Sequence, residues 1–366
     1  MKRLTLFTAY ILIALSAISC AKQAKIGPND ADKRYLDAWM SINDINAKPS
    51  GLGIYVLADV PGNGSEIEED GFVFMNYKAT DLEGKIHAYT EAVIAQQLGT
   101  YNDMSYTKFY GPEIFTTFKG NIYAGMRDML TGMKVGGERR AIIPGWLLTY
   151  KDFGDAEGFF EQPTTNSTLI YDVTVKDFTK DINAWEIDSI GRFFNNDKIL
   201  IDGIPAKKLF INKQGETMSK ADSLKKGFYY RELKAPVSTE KLQADTTIYI
   251  NYTGRLLNGQ VFDTTIENVA KDNRIYSASK TYAPVQINWP SQEEIDKGEY
   301  TEITMGSDES GVIDGFSYAL WQMQAMEKGI AIFYSPLGYA HTGSGSTIPA
   351  YSPLIFEIEI VAKPKE

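Results

Sequence analysis

Apolar positions recur with a period of two in the first half of the stretch 246–265, which is the most informative part of the chain. This is the period of a strand with one buried face; the positions are Ile248, Ile250 and Tyr252. Asn258 and Gly259 follow, and both residue types tolerate the positive φ that a two-residue hairpin turn requires. The pattern therefore predicts a β-hairpin whose second strand presents an aromatic ring beside one carboxylate, at Phe262 and Asp263.

The same pattern occurs earlier in the chain, at an offset of 175 positions. This offset aligns the segment GFVFMNYKATDLEG, which begins at Gly71, with TTIYINYTGRLLNG, which begins at Thr246, and it places Tyr77 on Tyr252. A chain of 366 residues is long enough for two domains. The repeat therefore predicts two domains of the same fold in tandem.

A long insertion follows the hairpin in each copy, over 87–119 in the first and over 264–300 in the second. The second insertion contains an apolar segment, 284–290, whose prolines favour an extended backbone. Two interpretations stay open from the sequence alone. Such segments either cover the edge of a sheet or capture apolar stretches of an unfolded client protein.

Apolar residues at helical spacing precede each copy, which predicts a short amphipathic helix before each domain. The positions are Tyr35, Leu36, Trp39, Met40 and Ile42 before the first copy, and Trp185, Ile187, Ile190, Phe193 and Phe194 before the second.

Several motifs of the second copy together resemble one known family, the FKBP-type peptidyl-prolyl isomerases. The hairpin from Tyr252 to Asp263 resembles the family's Y-x-G, D/N-G, F-D pattern. Later segments resemble its V-I-x-G-W, P-x-x-x-Y, I-P-P and L-x-F-x-V motifs in the same order, namely Gly311–Phe316, Ser335–Tyr339, Ile348–Ala350 and Leu354–Ile358. Read through the offset, the resemblance extends over 50–178 as well as 226–363.

The resemblance implies an α+β fold of two tandem FKBP-like domains, each a twisted antiparallel sheet wrapped on a short helix, with helical N-terminal extensions. The chain is accordingly divided into a signal peptide at 1–19, a tether at 20–34, a degenerate FKBP-like domain with its N-terminal helix at 35–180, a helix and connector at 181–225, and an FKBP-like isomerase domain at 226–366.

The implied chemistry is rotation about an X-Pro peptide bond, with no cofactor and no covalent bond to the protein. The uncatalysed barrier is about 18–20 kcal/mol, and crossing it takes tens of seconds. A twisted amide is less polar than a planar one, so a dry apolar pocket favours it over the ground state. The expected function is peptidyl-prolyl isomerisation that assists the folding of exported proteins, and the expected partners are unfolded or nascent proteins with X-Pro bonds.

The resemblance also implies roles for individual side chains of the second domain. Tyr252, Phe262, Asp263 and Tyr339 are the expected catalytic residues, with Asp263 as hydrogen-bond acceptor and Tyr339 as donor to the substrate carbonyl. The expected substrate-binding residues are Val312, Ile313, Phe316, Ile348 and Phe356, with Phe316 in place of the family's usual tryptophan and the Ile313 N–H holding a carbonyl.

The first domain departs further from the family pattern. His87 and Ala88 stand where the second domain has Phe-Asp, Met126 replaces the floor residue, and Tyr171 replaces the closing phenylalanine. Tyr77, Ile122 and Tyr150 are the remaining candidate pocket residues. Because a carboxylate and a large aromatic wall are both missing, we expect the first domain to be inactive and to bind clients or support the second domain.

The beginning of the chain has the features of an export signal. Met1-Lys2-Arg3 is basic, and the apolar run from Leu4 to Ile18 is too short to span a membrane. It ends beside Cys20, the one cysteine of the chain, which resembles the lipidation site of a bacterial lipoprotein. The expected location is the cell envelope, with an outer-membrane anchor facing the periplasm; an ordinary secretory signal is the alternative.

Composition excludes several other functions. The net charge of −10 and a pI near 5.0 argue against nucleic acid as a partner. One cysteine and two histidines, His87 and His341, leave no metal-ligand pattern and no cofactor. A serine hydrolase built on His341 and the nearby serines would need a strand-to-helix elbow, which a Gly-Ser loop does not provide. The alternative that stays open is a non-catalytic FKBP-like chaperone or scaffold lipoprotein.

Overall fold

The computed structural model describes residues 26–101, 109–238 and 240–364. Cys20 and the predicted export signal lie outside these residues. Within them, no helix is long and apolar enough to cross a membrane. The first half of the chain forms, in order, α1 (Asp30–Ile42), β1 (Tyr55–Val60), β2 (Phe72–Thr80), β3 (Ile86–Tyr89), α2 (Ala92–Gln97), β4 (Glu113–Thr116), α3 (Ala124–Leu130), β5 (Glu138–Ile143), α4 (Gly145–Thr149), α5 (Ala156–Phe160) and β6 (Leu169–Thr179).

The first sheet is antiparallel, with strand order β1-β5-β6-β2-β3 and β4 paired to one end of β2. Neighbouring residues of a strand face opposite sides, so the sheet buries two layers. Ile143 faces α3 and its Met129, whereas Ile142 faces α1 and its Leu36. The predicted helix before the first domain therefore covers the outer face of the domain's own sheet.

The second half of the chain begins with a helix and connector. Its elements are α6 (Ile182–Phe194), β7 (Leu200–Ile201), β8 (Ile204–Pro205), α7 (Ala206–Leu209), β9 (Phe228–Lys234), β10 (Thr247–Leu256), β11 (Val261–Thr264), α8 (Glu267–Asp272), β12 (Val285–Asn288), α9 (Gln292–Lys297), β13 (Thr304–Met305), β14 (Ser310–Gly311), α10 (Asp314–Gln322), β15 (Lys328–Phe333) and β16 (Leu354–Val361), with 3₁₀ turns at Lys220–Asp222, Tyr300–Glu302 and Ser335–Leu337.

The second sheet repeats the arrangement of the first. Its strands are antiparallel in the order β14-β13-β12-β10-β16-β15-β9, with β11 paired to β10. Strand β15 alternates: Phe333 packs towards Phe316 of α10, and Ile332 packs towards Phe194 of α6. The predicted α+β fold of two tandem FKBP-like sheets, each with a short central helix and a helix before it, is confirmed.

The connector between the sheets is part of a packed layer. Phe193 and Phe194 of α6 meet Phe210 at ring-centroid distances of 5.6 and 5.1 Å. These rings lie against Ile330 and Ile355, which are fully buried on the outer face of the second sheet. The segment 182–218 therefore covers this sheet as α1 covers the first.

The insertions extend the two sheets. Strand β12, in the apolar segment of the second insertion, pairs with residues Thr247–Ile250 of β10. Its Ile287 is fully buried and Trp289 nearly so, both within the core of their own domain. Because these side chains are already buried, the structure favours the interpretation that the segment covers the sheet edge.

The two domains meet beside the loop that follows β15. The rings of Phe72 in β2 and Tyr351 lie 5.2 Å apart. The backbone N–H of Phe109, from the first insertion, donates to the carbonyl of Ser346 over 3.1 Å. The segment 335–353 of the second domain is thus in contact with the first domain.

Candidate functional site

The site begins with the hairpin of β10 and β11. Gly259 has φ +88°, but Asn258 is not among the residues with positive φ, and the N–H of Leu256 donates to the carbonyl of Gln260. The hairpin is confirmed, but its loop has three residues, 257–259, and ends in a glycine at positive φ, so the predicted two-residue turn is wrong. Asp263 pairs with Gly254 across the two strands, and the register shifts immediately afterwards. The hairpin therefore presents Phe262 and Asp263 side by side at the mouth of the domain.

Gly254 allows the aromatic wall to close. A Cβ at this position would lie 2.5 Å from the ring of Phe262, which is closer than real Cβ atoms come, and 3.0 Å from the ring of Phe356, which is a tight contact. In the first domain the pairing is the same, but Ala79 and Ala88 stand where Gly254 and Asp263 stand in the second. Ala88 in place of Asp263 was identified from the sequence alone, but Ala79 in place of Gly254 was missed, although the same offset of 175 positions aligns the two.

Three rings surround Phe356, which is buried in β16, and the four rings together form an aromatic cage. Its ring lies 5.1 Å from Phe316, 5.6 Å from Phe262 and 6.1 Å from Tyr252, and the first two contacts are edge-to-face. Phe316 is 2% exposed and forms the floor, whereas Tyr252 and Phe262 are half-buried at the mouth. The predicted aromatic residues thus converge on one apolar cluster, in which two of the rings are partly exposed to solvent.

Asp263 is held in place from three sides. The Tyr252 hydroxyl donates to its Oδ2 over 2.6 Å, the Thr264 N–H donates to Oδ1, and Lys280 forms an ion pair with it. Burial and the negative charge of Asp263 raise the pKa of Tyr252, so its hydroxyl stays protonated and continues to donate. Lys280 comes from the second insertion, where no sequence motif identified it.

Two hydrogen-bond donors at the cage are available to a ligand. Among the described residues, neither the Tyr339 hydroxyl nor the backbone N–H of Ile313 has an acceptor. Ile313 is the N-cap of α10, with Val312 half-buried beside it, and Tyr339 follows the turn after β15. Burial and the charge of Asp263 raise the pKa of Tyr339, which keeps its proton in place. Ile348 is buried at the rim.

In the first domain, the candidate tyrosine hydroxyls donate hydrogen bonds to acceptors of the same domain. The Tyr77 hydroxyl donates to Glu113 of β4 over 3.0 Å, and the Tyr150 hydroxyl donates to the carbonyl of Pro163 over 2.8 Å. Phe115 packs edge-to-face on Tyr77 at 5.7 Å. His87 is exposed and bonds Asp81 instead of forming a wall.

The remaining candidate residues of the first domain belong to its core. Met126 and Ile122 are buried, and Tyr171 packs against the core at 6.0 Å from the ring of Tyr77. The site has therefore lost its carboxylate neighbour, one wall and one donor, which leaves a packed core where the second domain has a cage.

Comparison with known proteins assigns the family. The profile of the FKBP-type peptidyl-prolyl cis-trans isomerases matches residues 65–176 and 238–361, which together exceed half of the chain. The chain belongs to this family, and it contains two FKBP segments in tandem.

Individual relatives share only part of this sequence. FK506-binding protein 2 of Dictyostelium discoideum is 28% identical over 141 residues, which cover 38% of this chain and 80% of that protein.

Among solved structures, the three FKBP domains of wheat FKBP73 match with 15% identity, 84% of this chain and 93% of that one covered, and a TM-score of 0.26. FkpA from Escherichia coli matches with 22% identity, 49% and 70% covered, and a TM-score of 0.27. A peptidyl-prolyl cis-trans isomerase from Pseudomonas syringae matches with 24% identity, 39% and 84% covered, and a TM-score of 0.25.

Proposed function

We propose that this protein is a prolyl isomerase that assists the folding of exported proteins and that its activity resides in the second domain. The observation that carries the proposal is the convergence of the aromatic cage with two donors that lack acceptors among the described residues. A proline ring in the cage would place its preceding carbonyl near the Tyr339 hydroxyl and the Ile313 N–H.

Catalysis follows from the difference between the planar and the twisted amide. The planar amide is polar and well solvated in water, so it loses more solvation free energy on entering the dry cage than the twisted amide does. The two donors fix the carbonyl while the proline side rotates. Each 1.4 kcal/mol of such differential binding accelerates the rotation about tenfold.

The carboxylate of Asp263 contributes through position and charge. Its bonds to Tyr252 and Lys280 hold it beside the cage, where its negative charge faces the Tyr339 hydroxyl. Its role is to orient the aromatic wall and to supply a fixed field to the rotating amide, because no step of this reaction requires it to accept a proton from the substrate.

In this proposal the first domain has a binding or supporting role. Its Tyr77 and Tyr150 hydroxyls both donate to acceptors within the domain, so neither is available to a substrate carbonyl as the Tyr339 hydroxyl is. Its contacts with Tyr351 and Ser346 suit a domain that supports the loop of the second one.

Substitution of Asp263 tests the proposed function. In a protease-coupled assay with a prolyl tetrapeptide, the full chain is expected to be active. Asp263→Ala is expected to lower kcat/KM by about tenfold to a hundredfold, because a hydrogen bond to a charged group is worth about 1.5–3 kcal/mol. Asp81→Ala is the matched control, since Asp81 lies in the hairpin of the first domain and bonds His87. An inactive parent protein would favour the non-catalytic chaperone or scaffold.

The proposed location is the bacterial cell envelope, with a lipid on Cys20 as outer-membrane anchor facing the periplasm. This proposal rests on the sequence pattern that ends at Cys20. The test is incorporation of labelled fatty acid, which Cys20→Ser should abolish; labelling that persists in this variant would refute the anchor.

A further inference from the structure

We propose that Glu186 of helix α6 is a positioning residue for the isomerase site, because it fixes the turn that carries Tyr339. This inference rests on the proposed isomerase function of the second domain. It concerns a residue of the connector, outside both segments that match the family profile.

Glu186 is unusual in its surroundings. Its side chain is fully buried, and among the described residues no cation lies within ion-pair distance of it. Its polar partners in this region belong to Ser335, whose N–H donates to Oε2 over 2.5 Å and whose hydroxyl donates to Oε1 over 2.7 Å. The carboxylate of Glu186, in helix α6, thus accepts two hydrogen bonds from one residue of the second domain.

Ser335 is hydrogen-bonded to the backbone on both sides of Tyr339. It is the first residue of the 3₁₀ turn Ser335–Leu337. Its carbonyl accepts hydrogen bonds from the N–H of Gly338 over 2.8 Å and from the N–H of Ala340 over 2.9 Å. Movement of Ser335 would therefore move the backbone at both neighbours of Tyr339, and with it the hydroxyl that the substrate needs.

The cost of this arrangement supports a functional role. Burial raises the pKa of Glu186 to about 7, against the opposing effect of the two Ser335 bonds. A buried carboxyl whose pKa is raised above the ordinary 4.5 lowers the free energy of unfolding when it ionises. This loss of stability is absent below pH 4.5 and grows as the pH rises to about 7. An apolar residue would avoid this loss but would leave the buried Ser335 N–H without an acceptor.

The contact between Glu186 and Ser335 lies close to the interface between the two domains. Burial and, to a smaller extent, the charge of Glu186 raise the pKa of Tyr351. The N–H of Tyr351 also donates to the carbonyl of Ala340 over 2.8 Å, and its ring touches Phe72 of the first domain. The turn before Tyr339 is therefore held from α6 and from the first domain together.

The experiment measures isomerase activity and amide hydrogen exchange on the full chain. Glu186→Ala is expected to lower kcat/KM about tenfold, since small displacements of a catalytic group cost that much or more. It should accelerate exchange at Ser335, Gly338 and Ala340 while exchange in strand β15 keeps its rate. Glu186→Gln, which can accept from the Ser335 N–H and donate to its hydroxyl, should restore kcat/KM to within about twofold.

Two further variants separate a positioning role from a structural one. Asp188→Ala is the control on the same helix, because Asp188 is exposed and pairs with Lys220; it should change neither measurement. Ser335→Ala removes one of the two bonds and should lower kcat/KM about threefold even if Glu186→Ala does not fold.

The inference is overturned if Glu186→Ala and Ser335→Ala keep kcat/KM within about twofold of the parent, or if exchange accelerates equally in β15 and in the turn. An inactive parent would refute the proposed isomerase function instead, and the exchange rates at Gly338 and Ala340 would still report whether Glu186 holds the turn.

Discussion

A fragment that begins at residue 226 is expected not to fold stably, whereas one that begins at residue 181 is expected to fold. The shorter fragment lacks Phe193, Phe194 and Phe210, which cover Ile330 and Ile355 on the outer face of the second sheet. Each large apolar side chain contributes about 1.5–3 kcal/mol when buried. Losing several of them removes much of the roughly 5–15 kcal/mol that stabilises a whole domain.

Urea unfolding of fragments 226–366 and 181–366, followed by circular dichroism, checks this prediction. A cooperative transition at the same urea concentration in both would show that the connector layer contributes little. The longer fragment is also the appropriate one for activity measurements, because it retains Glu186.

Replacing Phe356 by alanine is expected to lower the free energy of unfolding of the second domain by about 3–5 kcal/mol, the usual cost of removing a buried phenylalanine. The side chain is 5% exposed and lies against Phe262, Phe316 and Phe333. Isomerase activity should disappear with it, because the floor and the wall of the cage both lose their support.

Phe356→Leu separates packing from the cage. Leucine fills most of the volume, so this variant should lose only about 1–1.5 kcal/mol of stability. It lacks the ring against which Phe262 packs, so kcat/KM should still fall. Calorimetry and the tetrapeptide assay on both variants provide the measurement, and full activity in the leucine variant would show that the ring of Phe356 is not part of the cage.

Local features of the fold could be predicted from the sequence because their causes are local. The period-two pattern at Tyr252 and the Asn258-Gly259 turn determine a hairpin on their own. The helices α1 and α6 likewise follow from apolar residues at helical spacing. The repeat then places the same sheet in the first half of the chain.

Long-range contacts could not be read in this way. Lys280 reaches Asp263 from an insertion with no recognised motif, and Glu186 reaches Ser335 across 149 positions. Helical spacing places Glu186 on the buried face of α6 with Ile190 and Phe193, and Asp188 on the exposed face, but it does not identify Ser335 as the partner of Glu186. The roles of such residues depend on the packing of the connector on the second sheet, which periodicity alone does not determine.

The different state of the two candidate sites could be predicted from the sequence only in part. His87 and Ala88 indicated a degenerate site from the sequence alone. The hydrogen bonds of Tyr77 to Glu113 and of Tyr150 to Pro163 required coordinates, because their acceptors lie 36 and 13 positions further along the chain.

The most direct measurement compares Phe262→Ala with His87→Ala in the full chain, since these positions correspond across the repeat. If the aromatic cage of the second domain performs the isomerisation, Phe262→Ala should lower kcat/KM for a prolyl tetrapeptide by about tenfold to a hundredfold, equivalent to about 1.4–2.7 kcal/mol. His87→Ala should leave it unchanged. Equal rates for the parent protein and Phe262→Ala, or a loss of activity confined to His87→Ala, would contradict this account.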